Sequence, residues 1–456
     1  MSRMNRRTFG LSAASAFTAA TAASASRIVG ANDRVRAGFI GLGNRGDQNI
    51  DGFLPHKDVD FVGLCDLWKP YRDFARAKLE SKSRLLPNLI ETDDYRQLLA
   101  SKEIDAVIVS TPDHWHALQT IEACSASKDV YCEKPLSLAL AEGRAMVSAA
   151  RKHARIVQVG LQRRSSAVCK EACERVRSGE IGKVTVARAF HIQNESPLGI
   201  GNPPDGTAPT GLDWDRWLGP APKVAYNLNR TFYRFRWFFD QSGGQLTNMG
   251  VHYLDLIHWA LGQDSPTSVT AMGGKFAVDD NREIPDTLEV LWTYPGGTLV
   301  SFSQYNATSI PAGKAGVELE FRGTKGACFI GGSSYEIVPD PQPVGEFPIG
   351  SPLERGNGKA WRAQRASTVK AMTRKGKLDT ADHTRNFLDC IRSRATPNAD
   401  VEIGHRDTSA AILGNIAYRK RKFIEWDGRT EKIVNEPALN RLLHPTYRAP
   451  YQWPVV

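Results

Sequence analysis

The sequence predicts an α/β protein in two domains, the first built on a doubly wound parallel sheet with helices on both faces. Three observations carry that expectation. Apolar runs of strand length alternate with helical stretches between residues 34 and 160, a glycine-rich turn separates the first strand from the first helix, and 456 residues exceed one ordinary domain.

Residues 1–25 hold Arg6-Arg7 ahead of a weakly apolar Ala/Ser/Thr stretch and end in Ala23-Ser24-Ala25, small residues of the kind a signal peptidase reads. The segment resembles a bacterial twin-arginine signal. A periplasmic or otherwise exported address is therefore expected, with the twin-arginine machinery as a partner and residues 26–33 as a linker. No later segment has the roughly 18 unbroken apolar residues of a membrane-spanning helix.

The first domain, 34–160, opens with the strand Val35–Ile40, then Gly41-Leu42-Gly43-Asn44-Arg45-Gly46 and a helix reaching Pro55. Strand, G-x-G-x-x-G and helix together form the phosphate cradle of a Rossmann domain. Gly41 permits the tight turn, Gly43 lets a pyrophosphate approach the backbone, and Gly46 packs helix against strand. Asn44 and Arg45 then start a helix whose N-terminus faces the anion. The next strand, 59–65, ends at Asp66, twenty residues past Gly46, where a carboxylate accepts hydrogen bonds from an adenosine ribose. An acid there repels a 2′-phosphate, so NAD is the expected cofactor, while Lys69 and Arg72 keep NADP open. A helix near 93–101, a strand at 105–110, a helix from about 115, a strand at 130–132, a helix near 139–153 and a strand at 156–159 follow. Ligands of such sheets lie at the strands' carboxyl ends, where two polar clusters stand: Thr111-Pro112-Asp113-His114-Trp115-His116 and Glu133-Lys134-Pro135.

The second domain is expected over 161–425. Arg163 follows the last parallel strand and is placed to bond sugar hydroxyls. The segment 230–240 is aromatic and basic, so Tyr233 and Trp237 offer flat faces to a sugar ring, and core packing explains the same segment equally well. Strand-like runs at 267–278, 286–304 and 315–330 supply a sheet. Residues 339–377 read as an exposed basic excursion near the cleft mouth or at an oligomer contact. Helices near 386–391 and 408–420 return to the domain, and 426–456 form a C-terminal extension.

Charge and cysteines narrow the function classes. The formal charge of +10 includes three arginines in residues 1–25 and eight basic residues between Arg355 and Lys377 with no acid; removing both leaves −1. A nearly neutral body excludes nucleic acid as the expected partner. The seven cysteines contain no C-x-x-C pair and read as buried small hydrophobes, and the ten histidines show no H-x-x-x-H spacing, so no metal is expected.

The glycine cradle, the segments at 111–116 and 133–135, Leu212–Pro220 and Gly243–His252 together resemble the Gfo/Idh/MocA (glucose-fructose oxidoreductase / inositol dehydrogenase) family. The resemblance implies an N-terminal Rossmann domain and a C-terminal α/β domain with an open, mostly antiparallel sheet that supports a homo-oligomer, dimer or tetramer. It implies that Lys134 hydrogen-bonds the reacting hydroxyl, that His252 is the general acid/base, that Thr111, Pro112, His116 and Glu133 lie at the cofactor, and that a cis bond precedes Pro135. Asn248 stands where many members have an aspartate. A helix beginning there would put Asn248, His252 and Asp255 on one face, with Asn248 orienting the imidazole at the substrate. His114 either contacts substrate or caps a helix.

The expected function is NAD(P)-dependent oxidation of a secondary alcohol in a sugar, cyclitol or glycoside. Export removes any exchanging cofactor pool, so tight retention and a closed redox cycle are expected. Two alternatives remain open at this stage: a keto-sugar lyase or glycosidase working through transient oxidation, and a sugar-binding relative without turnover.

Overall fold

The structure is a computed structural model that describes residues 34–344 and 365–453. The twin-arginine segment, the 26–33 linker and residues 345–364 of the basic excursion lie outside the described residues.

Six strands form the first sheet: β1 (Val35–Ile40), β2 (Val59–Cys65), β3 (Ile90–Thr92), β4 (Ala106–Val109), β5 (Asp129–Cys132) and β6 (Val157–Val159). They are all parallel, in the order β3-β2-β1-β4-β5-β6. The order reverses between β1 and β4, which opens a crevice at their carboxyl ends. The helices are α1 (Asn44–Phe53), α2 (Lys69–Ser81), α3 (Tyr95–Ala100), α4 (Asp113–Ser125) and α5 (Leu140–Lys152). Neither α2 nor β3 is legible in the sequence. α2 buries only Ala75 and Leu79, and three residues are too few for an alternation to show.

The second domain carries α6 (Ala167–Arg177), α7 (Trp214–Leu218), α8 (Val251–Leu261), α9 (Thr380–Ser393) and α10 (Val401–Lys420). Its strands are β7 (Val184–Ile192), β8 (Ser268–Gly274), β9 (Thr287–Tyr294), β10 (Thr298–Tyr305), β11 (Leu319–Gly323), β12 (Gly326–Ile330) and β13 (Ser334–Pro339). A separate two-strand pair, β14 (Gln342–Pro343) and β15 (Arg365–Ala366), precedes β16 (Met372–Lys375), β17 (Ile424–Asp427) and β18 (Lys432–Ile433). Ten of these make one sheet, β16-β13-β12-β11-β7-β10-β9-β8-β17-β18, antiparallel except between β7 and β10. The apolar run 286–304 becomes a hairpin because Gly296 and Gly297 adopt φ of 83° and 87°, a conformation side chains resist.

Helices α6, α8 and α10 pack on one face of this sheet. The other face leaves Met272, Leu291 and Leu299 exposed. The cores of the two domains are continuous. Val107 of the first sheet and Leu118 of α4 join the same apolar cluster as Leu246, Tyr253 and Trp292 of the second domain. On the opposite face of the first sheet, Phe387, Leu388 and Ile391 of α9 complete the cluster around Phe39, Phe53 and Tyr131. All seven cysteines are free and buried, as expected of small hydrophobes. Among the described residues no helix is long and apolar enough to cross a membrane.

Candidate active site

One cleft of about 750 Å³ runs along the carboxyl ends of β1, β2, β4 and β5 and is roofed by the second domain. At its base lies the glycine turn. Gly41 has φ of 83°, and a Cβ on it would stand 2.7 Å from the Thr111 nitrogen; one on Gly46 would stand 2.0 Å from the Gly41 carbonyl oxygen. Neither position admits a side chain. Gly43 precedes α1 and meets only the Tyr71 ring, at 3.3 Å, so the backbone there stays open to a ligand. Asn44 and Arg45 line the same stretch.

Asp66 ends β2 with its carboxylate fixed by the Leu42 and Trp68 backbone N–H groups at 2.7 and 2.8 Å. Burial pushes this carboxyl up to about 6 despite those bonds. The turn without side chains, the helix N-terminus and the acid at the next strand's end fit a dinucleotide such as NAD.

At the end of β5, Glu133 is buried and accepts from Arg45 Nε at 2.7 Å and Asn49 Nδ2 at 3.1 Å. Burial pushes its carboxyl up, but the Arg45 charge wins and holds it below the ordinary range. Gly160 leaves room for it, since a Cβ there would lie 2.6 Å from the carboxylate. Lys134 follows, with a cis bond to Pro135. Its Nζ donates to the Asn248 carbonyl at 2.8 Å and to Asn248 Oδ1 at 2.7 Å. Burial lowers the ammonium to about 8, against the pull of Glu133.

Asn248 does not orient His252, contrary to the sequence expectation. Residues Leu246–Gly250 form a π-helical turn before α8, and the wider turn breaks the i, i+4 alignment. The Asn248 amide donates to Gln245 Oε1 at 2.9 Å, which turns Oδ1 toward Lys134. His252 still lines the cleft, with Nδ1 buried and unpartnered. Burial first, then the Lys134 and Arg163 charges, push it well below the ordinary histidine value, so it is neutral at pH 7. Asp255 leaves the site altogether and pairs with Arg164.

Thr111, Pro112 and His116 line the cleft. The His116 ring is held between the Pro135 carbonyl at 2.8 Å and the Thr111 carbonyl at 2.9 Å. Tyr233 is also in the cleft wall. Three expected substrate contacts are not. Arg163 donates to Glu318 at 2.7 Å and lies over the Tyr253 ring. Trp237 is buried against Arg282 in an apolar cluster with Phe238 and Ile284. His114 is buried behind the wall with Nε2 on the Trp217 carbonyl at 3.2 Å, and burial lowers it to about 4. No described residue of 339–377 lines the cleft.

Several lining residues were not singled out individually from the sequence: Asp113, which accepts from the Ser242 hydroxyl, Tyr71, Phe232, Phe235, Arg236 and Tyr451. Tyr451 arrives from the C-terminal extension and meets Trp115 edge to face at 5.4 Å. The polar cluster at 111–116 pointed toward Asp113 and the aromatic, basic segment 230–240 toward Phe232, Phe235 and Arg236, whereas nothing in the sequence pointed toward Tyr71 or Tyr451.

Known proteins are similar to this chain in sequence or in fold. A glycosyl hydrolase family 109 protein of Shewanella sp. (strain W3-18-1) is 38% identical over 112 residues, 24% of this chain and 24% of its own length. The chain thus spans about a quarter of the length of such curated relatives. The scyllo-inositol 2-dehydrogenase (NAD(+)) of Bacillus subtilis (strain 168) is 25% identical over 333 residues, 68% of this chain and 81% of that one. The WlbA dehydrogenase of Chromobacterium violaceum, solved in complex with NADH and UDP-GlcNAcA, shares the fold with a TM-score of 0.62 at 19% identity, over 87% of this chain and 97% of that chain. The family model for the oxidoreductase family's NAD-binding Rossmann fold matches residues 35–161, and that for its C-terminal alpha/beta domain matches 183–305 and 351–453. With a parallel sheet, a glycine cradle and a Glu-Lys-Pro strand end in the matching positions, the chain belongs to the Gfo/Idh/MocA oxidoreductase family.

Proposed function

We propose that the cleft oxidises a secondary alcohol of a sugar, cyclitol or glycoside, with NAD held at the glycine turn. The observation that carries this reading is the convergence of Lys134 and His252 on the cleft that contains the cradle. Bound NAD supplies the hydride acceptor; Asp66, the Gly43 backbone and the N-terminus of α1 hold it. Lys134, mostly charged at pH 7 with a value of about 8, donates to the reacting oxygen and stabilises its developing negative charge. Asn248 fixes the direction of that ammonium. His252, neutral and without a carboxylate behind Nδ1, takes the hydroxyl proton and releases it readily. Tyr233, Phe232 and Phe235 offer ring faces to the sugar.

The same proposal includes export through residues 1–25, so that the protein retains its cofactor through a turnover and closes oxidation and reduction in one site. It also includes a homo-oligomer formed through the exposed sheet face. A second reading, glycoside cleavage, is favoured by the family 109 relatives.

Fluorescence titration with NADH, followed by a sugar and glycoside panel, tests the proposal. A keto-sugar supports the first reading, a cleaved glycoside the second, and NADH binding with neither product indicates a binding protein. Failure to bind NADH overturns both enzymatic readings. Lys134→Ala is expected to lower turnover at least a hundredfold while NADH affinity stays within a few-fold; unchanged turnover would remove the lysine from the mechanism.

A further inference from the structure

Five cationic side chains line the cleft: Arg45, Arg96, Lys134, Arg216 and Arg236. Three are neutralised in place. Arg45 pairs with Glu133 at 2.7 Å, Arg96 with Glu122 at 2.9 Å and Arg216 with Asp93 at 3.0 Å. Lys134 is held by the Asn248 oxygens and faces the reacting hydroxyl. Arg236 is different. Among the described residues no carboxylate lies within ion-pair distance of it. Its guanidinium is stacked over the Tyr233 ring at 3.9 Å and near the Phe235 ring at 5.2 Å, and one Nη1 proton goes to the Tyr233 carbonyl. The nearest acidic influence is Asp113, already engaged by Ser242.

A planar cation seated on two rings, with its remaining N–H groups open to the cleft and not taken by any protein acceptor, has no ion-pair partner of its own among the described residues. Burial accordingly pulls its proton affinity down. A neutral sugar would bond it but leave the charge unbalanced. A carboxylate or phosphate would do both, through the forked geometry that guanidinium groups offer to oxyanions. Arg236 comes from the second domain, lines the same cleft as Lys134 and Asn248, and lies close enough for its charge to act on the Lys134 ammonium.

We infer that the substrate is an anionic sugar, whose carboxylate or phosphate group binds Arg236 while a hydroxyl reaches Lys134 and His252. This rests on reading the cleft as a sugar-oxidising site with NAD at the cradle.

The test uses the NADH-loaded protein and calorimetric titration with D-glucuronate, D-galacturonate and D-glucose 6-phosphate against D-glucose and D-galactose. At least one acid is expected to bind on the order of tenfold to a hundredfold more tightly than its neutral counterpart. Arg236→Met should erase that preference, and Arg236→Lys should keep part of it. The uronate and phosphate arms tell which oxyanion the site takes. If the Met variant melts early, Arg236→Gln replaces it. No acid binding more tightly than its neutral partner, or a preference that survives loss of the guanidinium, overturns the inference. NADH titration of each protein separates the outcomes. Intact NADH binding without charge preference defeats only the anionic substrate, whereas absent NADH binding defeats the underlying function.

Discussion

Asn248 changes its meaning between sequence and structure, and the change alters what a substitution there does. Its oxygens hold the Lys134 ammonium rather than the imidazole, so Asn248→Asp acts on the lysine. A carboxylate at that position stabilises the charged amine and raises its value. Lys134 is lowered to about 8, so it loses its proton as pH rises through that value, and oxidation that depends on the ammonium should fall above pH 8. His252, lowered well below its ordinary value, stays neutral and able to accept a proton down through the weakly acidic range. The kcat profile is thus expected to be flat from about pH 6 to 7.5 and to descend near 8; Asn248→Asp should move the descent upward by about one pH unit. An unmoved descent would dissociate it from Lys134. Gly41, Gly43 and Asp66 were legible from strand, turn and spacing, and Glu133, Lys134 and His252 from the strand-end cluster and the family resemblance; all six line the cleft, while Gly46 packs on the Gly41 carbonyl. Arg163, Trp237 and His114 lie off the cleft wall, and local sequence could not decide this because their partners, Glu318, Arg282 and the Trp217 carbonyl, lie 45 to 155 positions away.

Among the elements, α9 shows how far the packing departs from chain order. It belongs by position to the second domain, yet Thr384 Oγ1 donates to the Gly52 carbonyl at 2.8 Å, and its apolar side chains bury against α1 and the first sheet. Phe387 is fully buried, edge to face with Tyr131 at 5.8 Å and Phe53 at 6.3 Å. Phe387→Ala should therefore cost about 3–5 kcal/mol, measured by denaturant unfolding. A loss under 1 kcal/mol would mean that α9 is only loosely attached. The sequence suggested a helix near 386–391 returning to the second domain; the helix is longer and packs on the first, because a short apolar run does not tell what covers it. The parallel strands were easier, since runs buried on both faces read as continuous apolar segments.

For the molecule as a whole, the fold class was legible from alternation and the glycine turn, whereas the ten-strand sheet was visible only as three apolar runs. Its exposed face carries Leu291 and Leu299 on neighbouring strands, consistent with the oligomer proposed above. Leu291→Asp with Leu299→Asp should shift sedimentation toward the monomer while leaving the melting temperature of the protomer nearly unchanged; a wild-type monomer, or an unaltered assembly in the variant, would locate the interface elsewhere or nowhere. The closing of the first domain by α9 bears, finally, on synthesis. A ribosome finishes the nucleotide-binding strands long before it reaches Thr380, and until then Phe39, Phe53 and Tyr131 lack the cover that Phe387, Leu388 and Ile391 supply. A chain truncated before that helix is expected to leave part of this apolar cluster open, which dye binding to the truncated protein would detect.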